Sequence, residues 1–282
     1  MTLATLTIKT ATRAEVDIAI DWAAKEGWNP GQCDADNYFC ADPTGFLIGY
    51  LEQEPVATIS AVKYGANFGF IGFYIVRKEQ RNRGLGMQIW NAAMASLQGR
   101  CVGLDGVIEQ QDNYKKSGFA FAYSNIRFEG ITQAAATNAQ IVPLAQIPLE
   151  QFEHYDRPFF AESRTAFMQQ WIQQPQSVAL GYVADGQLKG YAVIRPCASG
   201  YKIAPLFADS ASIAAQLFAA VQAAVPPNQP LYLDVPEVNT CAVKLATDNN
   251  MSKSFESARM YKGEAPKLPL NSIYGVTSFE VG

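Results

Sequence analysis

The segment Arg81-Asn-Arg-Gly-Leu-Gly86 is the part of this sequence best suited to hold an anionic ligand. Gly84 and Gly86 let backbone N–H groups approach a diphosphate, the start of a following helix adds partial positive charge, and Arg81 and Arg83 can add charge-assisted hydrogen bonds. Its flanks support that chemistry. Phe68–Val76 is an apolar, β-rich run, and Leu85, Ile89, Ala93 and Leu97 recur at helical spacing, so a strand runs through a glycine turn into an amphipathic helix. The turn is not a dinucleotide fingerprint, which needs a third glycine, nor a P-loop, which needs Gly-Lys-Ser/Thr.

What is scarce excludes other chemistries. His154 is the only histidine, so multi-histidine metal sites are ruled out, and a serine or cysteine nucleophile would have to recruit that one imidazole. No Gly-x-Ser-x-Gly elbow accompanies it, and Glu153-His154-Tyr155-Asp156 reads as an interdomain segment. Cys33, Cys40, Cys101, Cys197 and Cys241 are odd in number, scattered and without a Cys-x-x-Cys pair, which points to reduced thiols. A net charge of -4 spread over 282 residues gives no footprint for nucleic acid or an anionic membrane. The apolar stretch Ala214 to Val225 is broken by Gln216 and Gln222 and is too short to span a bilayer, and Met1 to Lys9 lacks the apolar core of a signal peptide. A cytoplasmic protein is expected.

The elements that position the glycine turn occur twice. Gly49-Tyr50 recurs as Gly181-Tyr182, an offset of 132 residues, each time in a strand that turns into a second strand, Val56 to Val62 and Leu188 to Ile194. A third strand follows, Phe68 to Val76 or Gly200 to Ala208, then a helix with the stripe given above or with Ile213, Leu217, Ala220 and Val221. Next come a strand ending in Leu104-Asp105 or Leu233-Asp234, a short helix, and a strand closing in Ser124-Asn-Ile-Arg127 or Ser257-Ala-Arg259. The first half opens with a helix started by the capping box Thr12-x-x-Glu15 and stopped near Gly27. Its counterpart carries Phe160, Phe167 and Trp171 and ends before Pro175. Each unit is thus an α/β (α+β) fold, a mostly antiparallel mixed sheet flanked by helices. The boundary falls at Gln133-Ala-Ala-Ala-Thr-Asn138, giving domains 1–135 and 136–282.

Arg81-x-x-Gly84-x-Gly86 resembles the pyrophosphate-binding motif of the GNAT acyltransferases, and Tyr114-x-Lys116-x-Gly118-Phe119 resembles their second hallmark. The resemblance covers residues 1–130 by motif, and the remainder is similar to the divergent second domain of tandem GNAT proteins. It implies an N-acyltransferase that uses acetyl-CoA, without a metal, to acylate the primary amine of a small molecule by direct attack. By the same resemblance Ile75 and Val76 hold the pantetheine arm, and Arg81, Asn82, Arg83, Gly84, Leu85, Gly86 and Met87 hold the pyrophosphate, with Asn113 in the cofactor set. Gly72 fits a bulge or a close backbone approach in a strand that splays from its neighbour.

Transfer to an amine expels a thiolate, and Tyr114 is the candidate general acid for it; the other reading of Tyr114 is packing of the short helix on the sheet. Asp105 is the first candidate for binding the ammonium or accepting its proton, or else a turn aspartate, with Glu109 and Asp36 after it. Trp28, Tyr38 and Phe39, in or beside the loop Asn29 to Pro43, either wall the acceptor pocket or pack in the core. In the second half the offset puts Ile213-Ala-Ala-Gln-Leu-Phe218 opposite the glycine turn and Ala246 opposite Tyr114. Cradle and phenol are both gone, so the second domain is expected to complete the acceptor pocket or to stabilise the first across an interface. Asn239, opposite Val107, reads as a helix cap. The alternative to an enzyme is a non-catalytic acyl-CoA sensor or scaffold.

Overall fold

The computed structural model describes residues 4–134 and 139–282; Met1 to Leu3 and most of the expected linker, Ala135 to Asn138, lie outside the described residues. The first half runs β1 (Thr7–Thr10), α1 (Arg13–Lys25), α2 (Asp34–Ala41), β2 (Phe46–Leu51), β3 (Glu54–Tyr64), β4 (Phe68–Val76), α3 (Leu85–Ser96), β5 (Cys101–Val107), α4 (Gln111–Lys116) and β6 (Ala120–Ile131). The second runs β7 (Ile141–Pro143), α5 (Leu149–Asp156), α6 (Thr165–Ile172), β8 (Val178–Ala184), β9 (Gln187–Pro196), β10 (Tyr201–Ala208), α7 (Ala211–Ala223), β11 (Pro230–Pro236), α8 (Thr240–Asp248), β12 (Ser252–Lys262) and β13 (Ile273–Gly275). No helix of the described residues is long and apolar enough to cross a membrane.

Local signals acted where sequence placed them. Both bonds of the Thr12/Glu15 capping box form, and Gly27 ends α1 at a φ of 83° that glycine adopts without strain. Asn239 caps α8 by accepting from Ala242 N at 3.1 Å. Three expectations need correction. The loop Asn29 to Pro43 contains α2; the segment around His154 is α5; and Phe160 precedes α6, where it packs edge-on against Phe68.

The halves do not close separate sheets. Strand order is β1-β2-β3-β4-β5-β12-β6-β11-β10-β9-β8-β7, so each half sends its last long strand into the other: β12 pairs with β5, and β6 pairs with β11. Two buried ion pairs fix this exchange at equivalent places. Asp105 faces Arg259 and Asp234 faces Arg127, each joining the Leu-Asp strand of one half to the closing strand of the other. The only parallel pairs among the described strands are β4 with β5 and β10 with β11. The core is likewise shared. Tyr38 and Phe73 pack with Phe167 and Trp171 in one cluster, where the Tyr38 and Trp171 rings stack at 5.8 Å.

Candidate active site

β4 and β5 pair only from Phe68/Cys101 to Ile71/Leu104, although β4 continues to Val76 and β5 to Val107. A bulge parts them. Between Thr58 and Ser60 the β3 register slips, Phe73 takes a φ of 46°, and Thr58 Oγ1 donates to Phe73 O at 3.0 Å. The close approach expected at Gly72 is to the chain's own later residues: a Cβ there would lie 2.1 Å from Glu280 O. A wedge-shaped cavity of about 430 Å³ opens between the strands.

One end of the wedge is the glycine turn. Asn82 (φ 63°) and Gly84 (φ 76°) bend the chain through the left-handed region into α3, whose N-cap Gly84 offers no side-chain acceptor. First-turn N–H groups of a helix have no intrahelical partner, so this one is a bare anion site that fits a diphosphate. A Cβ at Gly86 would lie 2.6 Å from Tyr74 Oη, which keeps residue 86 a glycine. Ile75, Val76, Arg81, Asn82 and Gly86 line the cavity, while the Leu85 side chain is buried in the core. Arg81 is braced across the mouth: its Nε donates to Val76 O at 2.9 Å and its Nη2 meets Glu26 at 2.7 Å. Arg83, Gly84, Met87 and Asn113 are not among the lining residues. Arg83 bonds to Gln80, Met87 is 57% exposed, and Asn113 Nδ2 donates to Gln110 at 2.7 Å.

Tyr114 lies midway, its ring 5.6 Å from Trp90 and so close over Gly106 that a Cβ there would sit 2.3 Å from Tyr114 Cε2. Burial, with Tyr74 beside it, pushes the phenol well above its ordinary pKa. It stays protonated and can donate. Asp105 also lines the wedge, but the base role expected for it does not fit. Arg259 Nε and Nη2 donate to its two oxygens at 2.9 and 2.6 Å, and Asn125 Nδ2 donates at 2.8 Å. The carboxylate is committed to holding β12 against β5.

At the far end Trp28, Phe255, Phe279, Arg127 and Glu280 enclose an aromatic chamber. Trp28 lines this chamber, whereas four other residues expected at the acceptor site do not line the cavity. Tyr38 is fully buried among aromatic rings and does not line the cavity. Asp36 belongs to a separate groove, paired with Arg13 at 2.6 Å. Glu109 is exposed on the turn Ile108–Gln110, and neither it nor Phe39 lines the wedge. Sequence reasoning missed Phe255, Phe279 and Glu280. It had marked Arg127 and Arg259 as repeated positions without seeing that each must neutralise an aspartate of the other half.

The equivalent wedge of the second half is closed. β10 and β11 pair from Tyr201/Leu231 to Ile203/Leu233, and beyond that β13 docks on β10 at Leu206 and Phe207. Ser210 caps α7 by accepting from Ile213 N at 3.3 Å, so this helix start satisfies itself. From β13 the chain crosses to the first half, where residues 276–282 are buried: Tyr64 Oη donates to Val281 O at 2.8 Å and Ser60 Oγ to Glu280 O at 3.1 Å.

Comparison with known proteins agrees with this geometry. Residues 15–119 match the acetyltransferase (GNAT) family, and residues 152–275 match an acetyltransferase (GNAT) domain. A holothin acyltransferase of Pseudoalteromonas sp. (strain SANK 73390) is 29% identical over 279 residues, 99% of this chain and 95% of that protein. A putative acetyltransferase from Pyrococcus horikoshii superposes with a TM-score of 0.84 at 20% identity, over 98% of this chain and 96% of its own. A tandem GNAT protein from the clavulanic acid biosynthesis pathway superposes with a TM-score of 0.65 at 13% identity, over 93% and 100%.

Proposed function

Because the chain belongs to the GNAT acetyltransferase family and carries two such domains in tandem, we propose that it moves an acetyl group from acetyl-CoA to the primary amine of a small molecule by direct attack. The observation that carries this reading is the wedge between β4 and β5, with an uncapped helix start at one end and an aromatic chamber at the other. In it the first-turn N–H groups of α3 bind the diphosphate and the edge of β4 at Ile75 and Val76 guides the pantetheine arm. Acetyl-CoA supplies an electrophilic thioester carbon. Tyr114 holds a proton for the departing sulfur, since burial keeps its phenol protonated.

The domains divide the work. Residues 1–135 bind the acyl-CoA, and residues 136–282, with their own wedge plugged by β13, complete the acceptor chamber through Phe255, Phe279 and Glu280. A small-molecule acceptor is supported by the enclosed chamber and by the relative whose name gives holothin as its substrate. The test is thiol release from acetyl-CoA with a panel of primary amines that includes holothin, beside calorimetry with CoA. Release with an amine supports the enzyme; CoA binding without release by any amine would leave a sensor.

A further inference from the structure

Among the described residues Glu280 is the one carboxylate lining the cavity that forms no salt bridge, although Arg127 and Arg195 lie near enough to feel its charge. Among the described residues every neighbouring cation is engaged elsewhere. Arg127 gives Nε and Nη2 to Asp234 and Nη1 to Trp28 O; Arg195 faces Asp34 at 2.9 Å; Lys202 donates to Asn29 O at 3.2 Å and faces Asp234. Arg259, further along the wedge, is held by Asp105. What touches Glu280 is neutral: Ser278 Oγ donates to Oε2 at 2.8 Å, and Tyr38 Oη lies 3.2 Å from the same oxygen. Tyr38, buried and bonded also to Asp34, stays a protonated donor. No bond from the described residues reaches Oε1. The backbone of Glu280 rests on Gly72, at the point where β4 leaves β5, and Phe279 and Phe255 stand beside it with ring centroids 6.4 Å apart.

A buried carboxylate with one oxygen held only by neutral donors, the other unbonded, and every nearby cation paired elsewhere can still take a cationic ligand. We infer that Glu280 receives the acceptor's ammonium on Oε1 and takes its proton, the acceptor being a primary amine carried on a flat, uncharged ring that lies against Phe255, Phe279 and Trp28. The inference rests on the acyl-transfer reading of the same cavity. The ammonium gives one proton to Glu280, its freed lone pair forms the C–N bond, and the C–S bond breaks with its electron pair on sulfur. Sulfur takes the Tyr114 proton; the second proton lost from nitrogen restores that phenol, and the Glu280 proton passes to solvent.

Calorimetry with benzylammonium as the probe tests the site independently of turnover. The wild-type protein is expected to bind benzylammonium at least about tenfold more tightly than benzyl alcohol, and Glu280→Gln to lose that preference while its CoA affinity stays within about twofold, as expected for removing one side of a desolvated charge pair. With acetyl-CoA and benzylamine, kcat of Glu280→Gln is expected to fall about 100-fold. No benzylammonium binding by the wild type, equal binding of the neutral alcohol, or an unchanged affinity in Glu280→Gln would each overturn the assignment. The alcohol comparison needs no variant, so a Glu280→Gln protein that fails to fold leaves the test intact. Failure of the wild type to bind CoA is a separate result, which removes the cofactor reading instead.

Discussion

Burial sets the protonation of Tyr114, and the sign of its effect can be worked out. Its phenol pKa is raised, so the proton we propose it gives to the departing sulfur is lost only as pH rises through that raised value. No alkaline limb below about pH 10, the ordinary tyrosine value, is therefore expected from Tyr114 in a kcat profile. Tyr114→Phe keeps the contact with Trp90 and removes the proton; kcat should drop about 100-fold with CoA affinity unchanged. Asp105→Asn should behave in the opposite way. It leaves Arg259 buried without its counter-charge, at a cost of roughly 3–5 kcal/mol in urea unfolding, while the pH dependence of turnover keeps its shape. Asp105 looked like a base because its strand end was legible, whereas the guanidinium 154 residues further on was not. Tyr38 misled similarly, since an aromatic near a loop gives no sign of whether it faces a ligand or Trp171.

Elements were the most legible level, because capping, hairpin turns and apolar periodicity are local. The α1 capping box shows this, and it titrates. Lys9 first, then Tyr50 and the Thr12 N–H hold the Glu15 carboxyl down at about 2. A depressed carboxyl stabilises the fold above its unfolded value of roughly 4.3 and loses that contribution as pH falls towards the folded value. The melting-temperature gap between wild type and Glu15→Gln should thus shrink steadily between about pH 5 and pH 2. At α3 the informative feature is the lack of a cap. Gly84→Ala places a Cβ on a backbone with a φ of 76°, and the strained turn is expected to weaken CoA binding by about tenfold, read by calorimetry. β13 escaped sequence reading for a physical reason. Three residues carry no periodicity, and their role is to occupy a gap that exists only once β10 and β11 have parted.

At the scale of the whole molecule the repeat was visible in the sequence but the exchange of strands was not. Both arrangements bury the same apolar faces, and the choice between them lies in cross-half pairs such as Arg127 with Asp234 and Arg259 with Asp105. A fragment of residues 1–135 keeps the glycine turn yet loses β12 from beside β5, and β6 loses both of its partners. It is expected to be insoluble or to lack protection in hydrogen exchange at β5 and β6, and native-like protection there would contradict the exchange. The path of residues 273–282 has a genetic corollary. A frameshift just after the codon for Lys262 spares every long strand, the glycine turn and Tyr114, yet it removes the stopper of one wedge and the Glu280 carboxylate of the other. Lesions in the codons for residues 273–282 should therefore be as damaging as lesions in the motif that identifies the family.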